Sequence, residues 1–233
     1  MQFFPINLDI TGRLCVVIGG GQVALRKVKA LVGCNAKVKV ISPVVLEAFT
    51  PLEAGGAITV DRRGYEPGDL QDAFLVFAAT DSGQVQEDVA KEAYERKILF
   101  NSADDPARCD FQIPAKVRHG DLLLTISTGG ASPALSKCIR EQLEQQFGPE
   151  YGGIVELFAR VRAIVVTDAN NSEENRKIFH LMLRAGIVQY AEAGEWQKVR
   201  TILQESLPAQ ADIDSIMEGI SNLNDGLFWP HGR

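Results

Sequence analysis

The chain has four cysteines, Cys15, Cys34, Cys109 and Cys138, and no two of them stand at CxxC spacing. That excludes the common zinc patterns and a disulfide framework, and leaves four reduced thiols of the kind a cytosolic protein keeps, mostly in its core. No apolar run approaches the ~18 residues that span a bilayer, and no charged-then-apolar leader opens the chain. The cytoplasm is the expected location, with no membrane contact. Positive charge is in deficit as well: 24 Lys and Arg face 30 Asp and Glu, a net charge of −6. A general nucleic-acid binder is not expected from such a balance. Internal repeats and low-complexity segments are absent too.

What is present is rhythm. Residues 14–18 (LCVVI) are continuously apolar, as a strand buried on both faces should be. Val23, Ala24, Val28, Leu31 and Val32 follow at helical spacing, and Gly33 is expected to close that helix from the C′ position. Runs at 38–41, 57–60, 74–79 and 98–100 alternate with helical stretches, one starting near Leu46 and one carrying Val85, Val89, Ala93 and Tyr94. Strand and helix in alternation predict an α/β fold with a parallel, doubly wound sheet of Rossmann type. The pattern then changes. "FQIPAKVRHGDLLLTIST" reads as two strands joined at His119-Gly120-Asp121, and Ser132-Pro133 offers an N-cap and a first-turn proline for a helix ending at Gly148-Pro149. After residue 150 only helices are expected, around 154–165, from Ser172, at 195–206 and at 212–220, with a loose tail beyond. The expected organisation is a nucleotide-binding domain over 1–110, a hairpin-and-helix region over 111–150, and an all-helical region over 151–233.

Gly19-Gly20-Gly21-Gln22-Val23-Ala24 matches G-x-G-x-x-G/A, with Gly19, Gly21 and Ala24 at the three small positions. In this motif the first glycine turns the chain, and the second lets backbone N–H groups reach a pyrophosphate. The third small residue lets helix and strand pack closely. The match follows an expected strand and opens an expected helix, the context it requires. One element is missing. An acidic residue should close the second strand and hold the adenine ribose, but that place reads Ile41-Ser42-Pro43. No arginine stands there to favour a 2′-phosphate, so NAD is the expected cofactor, with Ser42 able to bond a ribose hydroxyl.

Two segments could carry chemistry. "NSADDPARCDF" (101–111) lies where doubly wound sheets place their ligands, and it holds Asp104, Asp105 and Asp110 as candidate general bases. As a bare sequence it reads equally well as a solvated turn. "STGGASP" (127–133) exposes N–H groups before a capped helix that carries Lys137 and Arg140. With Arg26, Lys27, Lys116, Arg118 and His119 these could form a cationic lining for a substrate bearing several carboxylates. The Tyr-x-x-x-Lys pair of short-chain dehydrogenases is absent, since Tyr94-Glu95-Arg96-Lys97 is one residue short.

Taken together, "FPINLDITGRLCVVIGGGQVALRKVKALV", "FAATD", "NSADDP" and "STGGASPALSKCIREQLE" resemble, in order and spacing, the N-terminal module family of siroheme synthases. Those are precorrin-2 dehydrogenases, some of which are also sirohydrochlorin ferrochelatases. The likeness is close over residues 3–150 and looser over 150–190. It implies NAD held by Gly19, Gly21, Gln22 and Val23, with Ser42, Pro43 and Val44 near the adenosine and Ala79 and Thr80 on the far side. The family's catalytic carboxylate, in Asn-x-x-Asp-x-Pro, falls on Asp104. A tetrapyrrole with many carboxylates is the implied substrate, met by Thr128, Gly129, Gly130, Ser132, Lys137, Arg140 and His119. Ferrous iron is a further substrate in bifunctional members, with no residue here assigned as a metal ligand. Relatives often carry two serines before the double glycine, where this chain has Ser127 and Thr128. Homodimerisation through 111–190 is also implied. The competing reading is a non-catalytic NAD-binding sensor with a helical signalling tail, which needs the glycine loop and nothing at 101–106.

Overall fold

The structure is a computed structural model describing residues 3–102, 104–166 and 172–220. The chain divides into two units, Met1–Ile113 and Pro114–Arg233.

In the first unit the apolar runs become parallel strands: β1 (Leu14–Ile18), β2 (Lys37–Ile41), β3 (Ile58–Asp61), β4 (Leu75–Ala78) and β5 (Leu99–Ser102). They pair in the order β3-β2-β1-β4-β5, so the chain reverses its direction of winding between β1 and β4. Helix α1 (Gln22–Val32) follows β1, a 3₁₀ turn and α2 (Thr50–Ala54) follow β2, and α3 (Gly83–Arg96) links β4 to β5. Alternation along β1 sends Cys15 and Val17 to one face, where Ala24, Leu25, Val28 and Leu31 of α1 cover them. Val16 and Ile18 go to the other face, against Val89 and Ala93 of α3 and Leu70. Each fully buried side chain of this kind contributes about 1.5–3 kcal/mol, which is why uninterrupted apolar strands were so informative.

The second unit holds the hairpin β6 (Ala115–His119) and β7 (Leu122–Ile126), paired antiparallel with Ala115 opposite Ile126 and His119 opposite Leu122. Helix α4 (Pro133–Gln146) follows, capped by Ser132, whose hydroxyl accepts from Leu135 N–H at 3.2 Å. Helices α5 (Glu150–Val165), α6 (Ser172–Arg184), α7 (Ile187–Glu192), α8 (Trp196–Ser206) and α9 (Ile213–Met217) complete it. Leu157, Val161, Met182, Ile187, Leu203 and Ile216 form their shared core.

The expected fold class is borne out, with local corrections. Gly33 caps α1 in right-handed geometry (φ −65°), and the left-handed residue is Asn35 (φ 56°), whose short polar side chain tolerates it. Asn101 and Ser102 belong to β5 instead of following it; both are buried, and Asn101 Nδ2 donates to the Phe111 carbonyl at 2.8 Å. Helix α7 was not anticipated, because Gly186 and Gly194 crowd its short span. The expected loose tail lies outside the described residues.

Candidate functional site

The turn after β1 is built by contacts that admit no side chain. A Cβ on Gly19 would stand 2.0 Å from the Ala79 carbonyl oxygen, and its φ of +125° already requires glycine. A Cβ on Gly20 would stand 2.1 Å from the Val44 carbonyl oxygen. In the G-x-G-x-x-G/A motif Gly20 is a free position; only the segment after β2, folded back on the turn, makes it obligatory. Hydrogen bonds lock the crossing: Gly19 N–H donates to the Ile41 carbonyl at 2.9 Å, and Leu46 N–H to the Gly20 carbonyl at 3.0 Å.

Gly21 is different. Its φ is ordinary, and a Cβ there would meet nothing within 4 Å. It stands at the N-terminus of α1, which has no side-chain cap and no acidic residue in its first turn. The first N–H groups of a helix lack intrahelical acceptors and carry partial positive charge. Gln22 and Val23 are exposed beside them, while Ala24 is fully buried against the sheet. Open space, free donors and positive potential fit a dinucleotide pyrophosphate. Ala79 and Thr80, half-buried, continue β4 beside the turn, with Ala79 N–H donating to the Ile18 carbonyl at 2.8 Å.

At the end of β2, Ser42 is buried and its hydroxyl donates to the Val44 carbonyl at 2.7 Å, so it closes its own loop. Pro43 is exposed and Val44 is 79% exposed. Two arginines follow β3, and both are already matched. Arg62 forms a bidentate pair with Glu53 at 2.9 and 2.6 Å. Arg63 pairs with Asp69, whose carboxyl is held below the usual carboxylate range chiefly by that guanidinium.

Beyond β5 the two neighbouring aspartates part company. Asp105 uses both oxygens: Oδ1 accepts from Ala107 N–H at 3.2 Å, and Oδ2 pairs with Arg108 at 3.1 Å. It shapes the turn. Asp104 is exposed, makes no ion pair among the described residues, and accepts at Oδ2 from Gln86 Nε2 at 3.1 Å. Gln86 is a residue that sequence reasoning missed; it was one polar position of an amphipathic helix, with no signal to separate it from its neighbours. Cys109, in the same loop, is pushed up by burial and accepts from Ser102 N–H at 3.1 Å.

In the second unit, Gly129 and Gly130 take positive φ (60° and 84°) and turn the chain into α4. The Thr128 hydroxyl accepts from Ser132 N–H at 3.1 Å and lies 3.1 Å from the Ser136 hydroxyl. The cationic lining is tempered. Lys137 faces Glu141 at 3.8 Å, and Arg140 pairs with both Glu141 and Glu144. The i,i+4 spacing of these charges was a legible sequence signal for that pairing. His119 sits on the inward side of β6 with Val117, its Nε2 enclosed and without a hydrogen-bond partner among the described residues. Lys116 and Arg118 alternate to the exposed side. Among the described residues no three His, Cys, Asp or Glu side chains cluster as a metal site, and no helix is long and apolar enough to cross a membrane.

Comparison with known proteins adds independent evidence. Residues 6–115 match the family described as putative NAD(P)-binding, and 120–146 match the sirohaem biosynthesis protein central family. The expected cofactor is thereby borne out at the level of an NAD(P)-binding domain. A siroheme synthase of Nitrosococcus oceani is 33% identical over 207 residues, covering 89% of this chain and 44% of that protein. One from Pseudomonas paraeruginosa is 32% identical, again over 89% and 44%. The chain thus spans under half the length of these curated relatives. Among solved structures, SirC, a precorrin-2 dehydrogenase, is similar with a TM-score of 0.70 and 29% identity, over 87% of this chain and 98% of that one. Two family models follow one another along the sequence, and relatives align over most of it, so the chain is similar over most of its length to part of the siroheme synthases and to nearly all of SirC.

Proposed function

We propose that the protein is an NAD-dependent precorrin-2 dehydrogenase, oxidising precorrin-2 to sirohydrochlorin in siroheme biosynthesis. The observation that carries this reading is Asp104, a carboxylate with no ion pair among the described residues, held by Gln86 at the carboxyl edge of the sheet whose β1–α1 turn is open to a pyrophosphate. A sensor needs the second feature and has no use for the first. The likeness to SirC supports the same reaction class.

Gly19, Gly21, Gln22 and Val23 would hold the pyrophosphate, and Ser42, Pro43 and Val44 would border the adenosine. Ala79 and Thr80 would line the opposite side. When bound, NAD supplies the hydride acceptor. Asp104 takes the proton that leaves the macrocycle, and Gln86 keeps its carboxylate from turning away. Asp105 is less suited to that role because both its oxygens are engaged. The matched state of Arg62 and Arg63 favours NAD over its 2′-phosphorylated relative, since neither guanidinium is free for a phosphate. In the second unit, Thr128, Gly129, Gly130 and Ser132 offer the turn, and Lys137 and Arg140 the charge, for substrate carboxylates; His119, its Nε2 enclosed, is less suited to meet them. Those carboxylates would compete with Glu141 and Glu144.

The hairpin and α4 (111–150) form the dimerisation region in this reading. Helix α4 buries none of its residues, Leu135 is 51% exposed, and Leu122, Leu123 and Leu124 are only half-buried. A second copy of the chain would cover that face. The homodimer would work in the cytoplasm, without nucleic acid. Ferrous iron enters only as a substrate after dehydrogenation, and anaerobic metal insertion into sirohydrochlorin tells a bifunctional from a monofunctional enzyme.

The test is direct. Purified protein with precorrin-2 and NAD should form NADH together with the sirohydrochlorin spectrum. Folded, NAD-binding protein that gives neither is the sensor.

A further inference from the structure

We infer that Gln86 is a positioning residue for the Asp104 carboxylate, an inference that rests on the dehydrogenase reading. Its amide is fully committed. Nε2 donates to the Thr80 carbonyl at 2.7 Å and to Asp104 Oδ2 at 3.1 Å, while Oε1 accepts from the Ser102 hydroxyl at 2.9 Å. The orientation is not arbitrary. A backbone carbonyl and a carboxylate can only accept, so both amide hydrogens must face Thr80 and Asp104, leaving Oε1 to Ser102.

Ser102 completes the lock. The oxygen that donates to Gln86 also accepts from the N–H groups of Asp104 and Asp105, at 3.2 and 3.1 Å. One side chain therefore ties together the end of β4, the end of β5 and the carboxylate proposed as the base. Thr80 belongs to the segment assigned to the cofactor, so the same amide sets the base relative to the cofactor wall.

Helix α3 does not need this amide for itself. Its N-terminus is capped by Ser82, which accepts from Val85 N–H, and its inward residues Val89 and Ala93 pack in the core. Asp105 does not depend on it either, having Ala107 and Arg108. What Gln86 uniquely supplies is a hydrogen bond to Asp104. Without it that carboxylate, exposed and with no other partner among the described residues, turns freely about two side-chain bonds. Misplacing a catalytic group by ~1 Å costs up to about 100-fold in rate.

The experiment measures kcat and KM with precorrin-2 and NAD, and NAD affinity by fluorescence, for the wild type, Gln86→Met, Gln86→Glu and Ser102→Ala. Gln86→Met should lower kcat about 10–100-fold while NAD affinity and KM stay within about threefold. Gln86→Glu, closer in shape but acceptor-only, should be worse than Gln86→Met, because it sets a carboxylate against Asp104 and the Thr80 carbonyl. A space-filling role predicts the reverse order. Wild-type kcat in Gln86→Met, or a Gln86→Glu enzyme faster than Gln86→Met, overturns the inference. Should Gln86→Met not fold, Ser102→Ala decides: a lowered kcat at unchanged NAD affinity supports the lock, and an unchanged kcat removes it. Absence of turnover in the wild type is a different result, which defeats the dehydrogenase reading itself.

Discussion

Adding one methyl group at each of two adjacent glycines should separate folding from binding. Gly21→Ala places a Cβ where nothing of the protein lies within 4 Å, at a φ of −84° that alanine adopts freely. Losing a Gly→Ala share of unfolded-chain entropy gains about 0.4–1 kcal/mol, and alanine is a poorer helix N-cap by a similar amount. The two cancel, so Tm should move by no more than a few degrees, at ~2–4 °C per kcal/mol for a chain of this size. The methyl does, however, fill the space in front of the α1 amides. Each hydrogen bond lost from N–H to a charged phosphate costs about 1.5–3 kcal/mol, so NAD should bind about 10- to 150-fold more weakly per lost bond. Gly20→Ala reverses the pattern. Its Cβ would stand 2.1 Å from the Val44 carbonyl oxygen, and backbone on both sides must move. Overpacking of this sort costs about 1–3 kcal/mol, which lowers Tm by roughly 2–12 °C. Calorimetric NAD titration and thermal unfolding by circular dichroism read both effects. A Gly21→Ala protein that binds NAD like the wild type would refute the phosphate cradle. A Gly20→Ala protein as stable as the wild type would refute the close crossing of the two loops.

Further outcomes are expected elsewhere. Asp104→Ala should lower kcat about 100- to 10,000-fold with NAD affinity retained; Asp105→Ala, losing a turn cap and an Arg108 pair, should stay within about tenfold, and the opposite ranking in steady-state assays would exchange their roles. The Asp69 carboxyl, lowered by Arg63, makes a stabilising contribution that is complete above the unfolded value near pH 4 and is lost as pH falls through the lower folded value. Acid unfolding of Asp69→Asn should therefore be less steep below about pH 4 than that of the wild type. Cys15 is fully buried and its thiol is pushed up to about 11 by burial, so a thiol reagent should label exposed Cys138 promptly and Cys15 only on unfolding. Leu135→Glu should convert the proposed dimer to monomers in light scattering, and an unchanged mass would place the interface elsewhere.

The sequence by itself determined the elements whose causes are local. Apolar runs too continuous for a half-exposed strand announced a sheet covered on both faces. Glycines between strand and helix marked the turn, and Ser132-Pro133 marked the start of α4. Even the partial neutralisation of Lys137 and Arg140 could be read at i,i+4 spacing. What the tertiary structure decided depended on partners distant along the chain. Gly20 is obligatory because Val44 returns over it, and Asp104 is separated from Asp105 by a glutamine 18 positions away. His119, which the sequence offers as part of a cationic lining at the hairpin, is turned inward by the alternation of β6. Periodicity reports which face of an element is buried; it carries no information about which polar group meets another across a sheet edge, because that is set by the order β3-β2-β1-β4-β5 and the close packing it imposes.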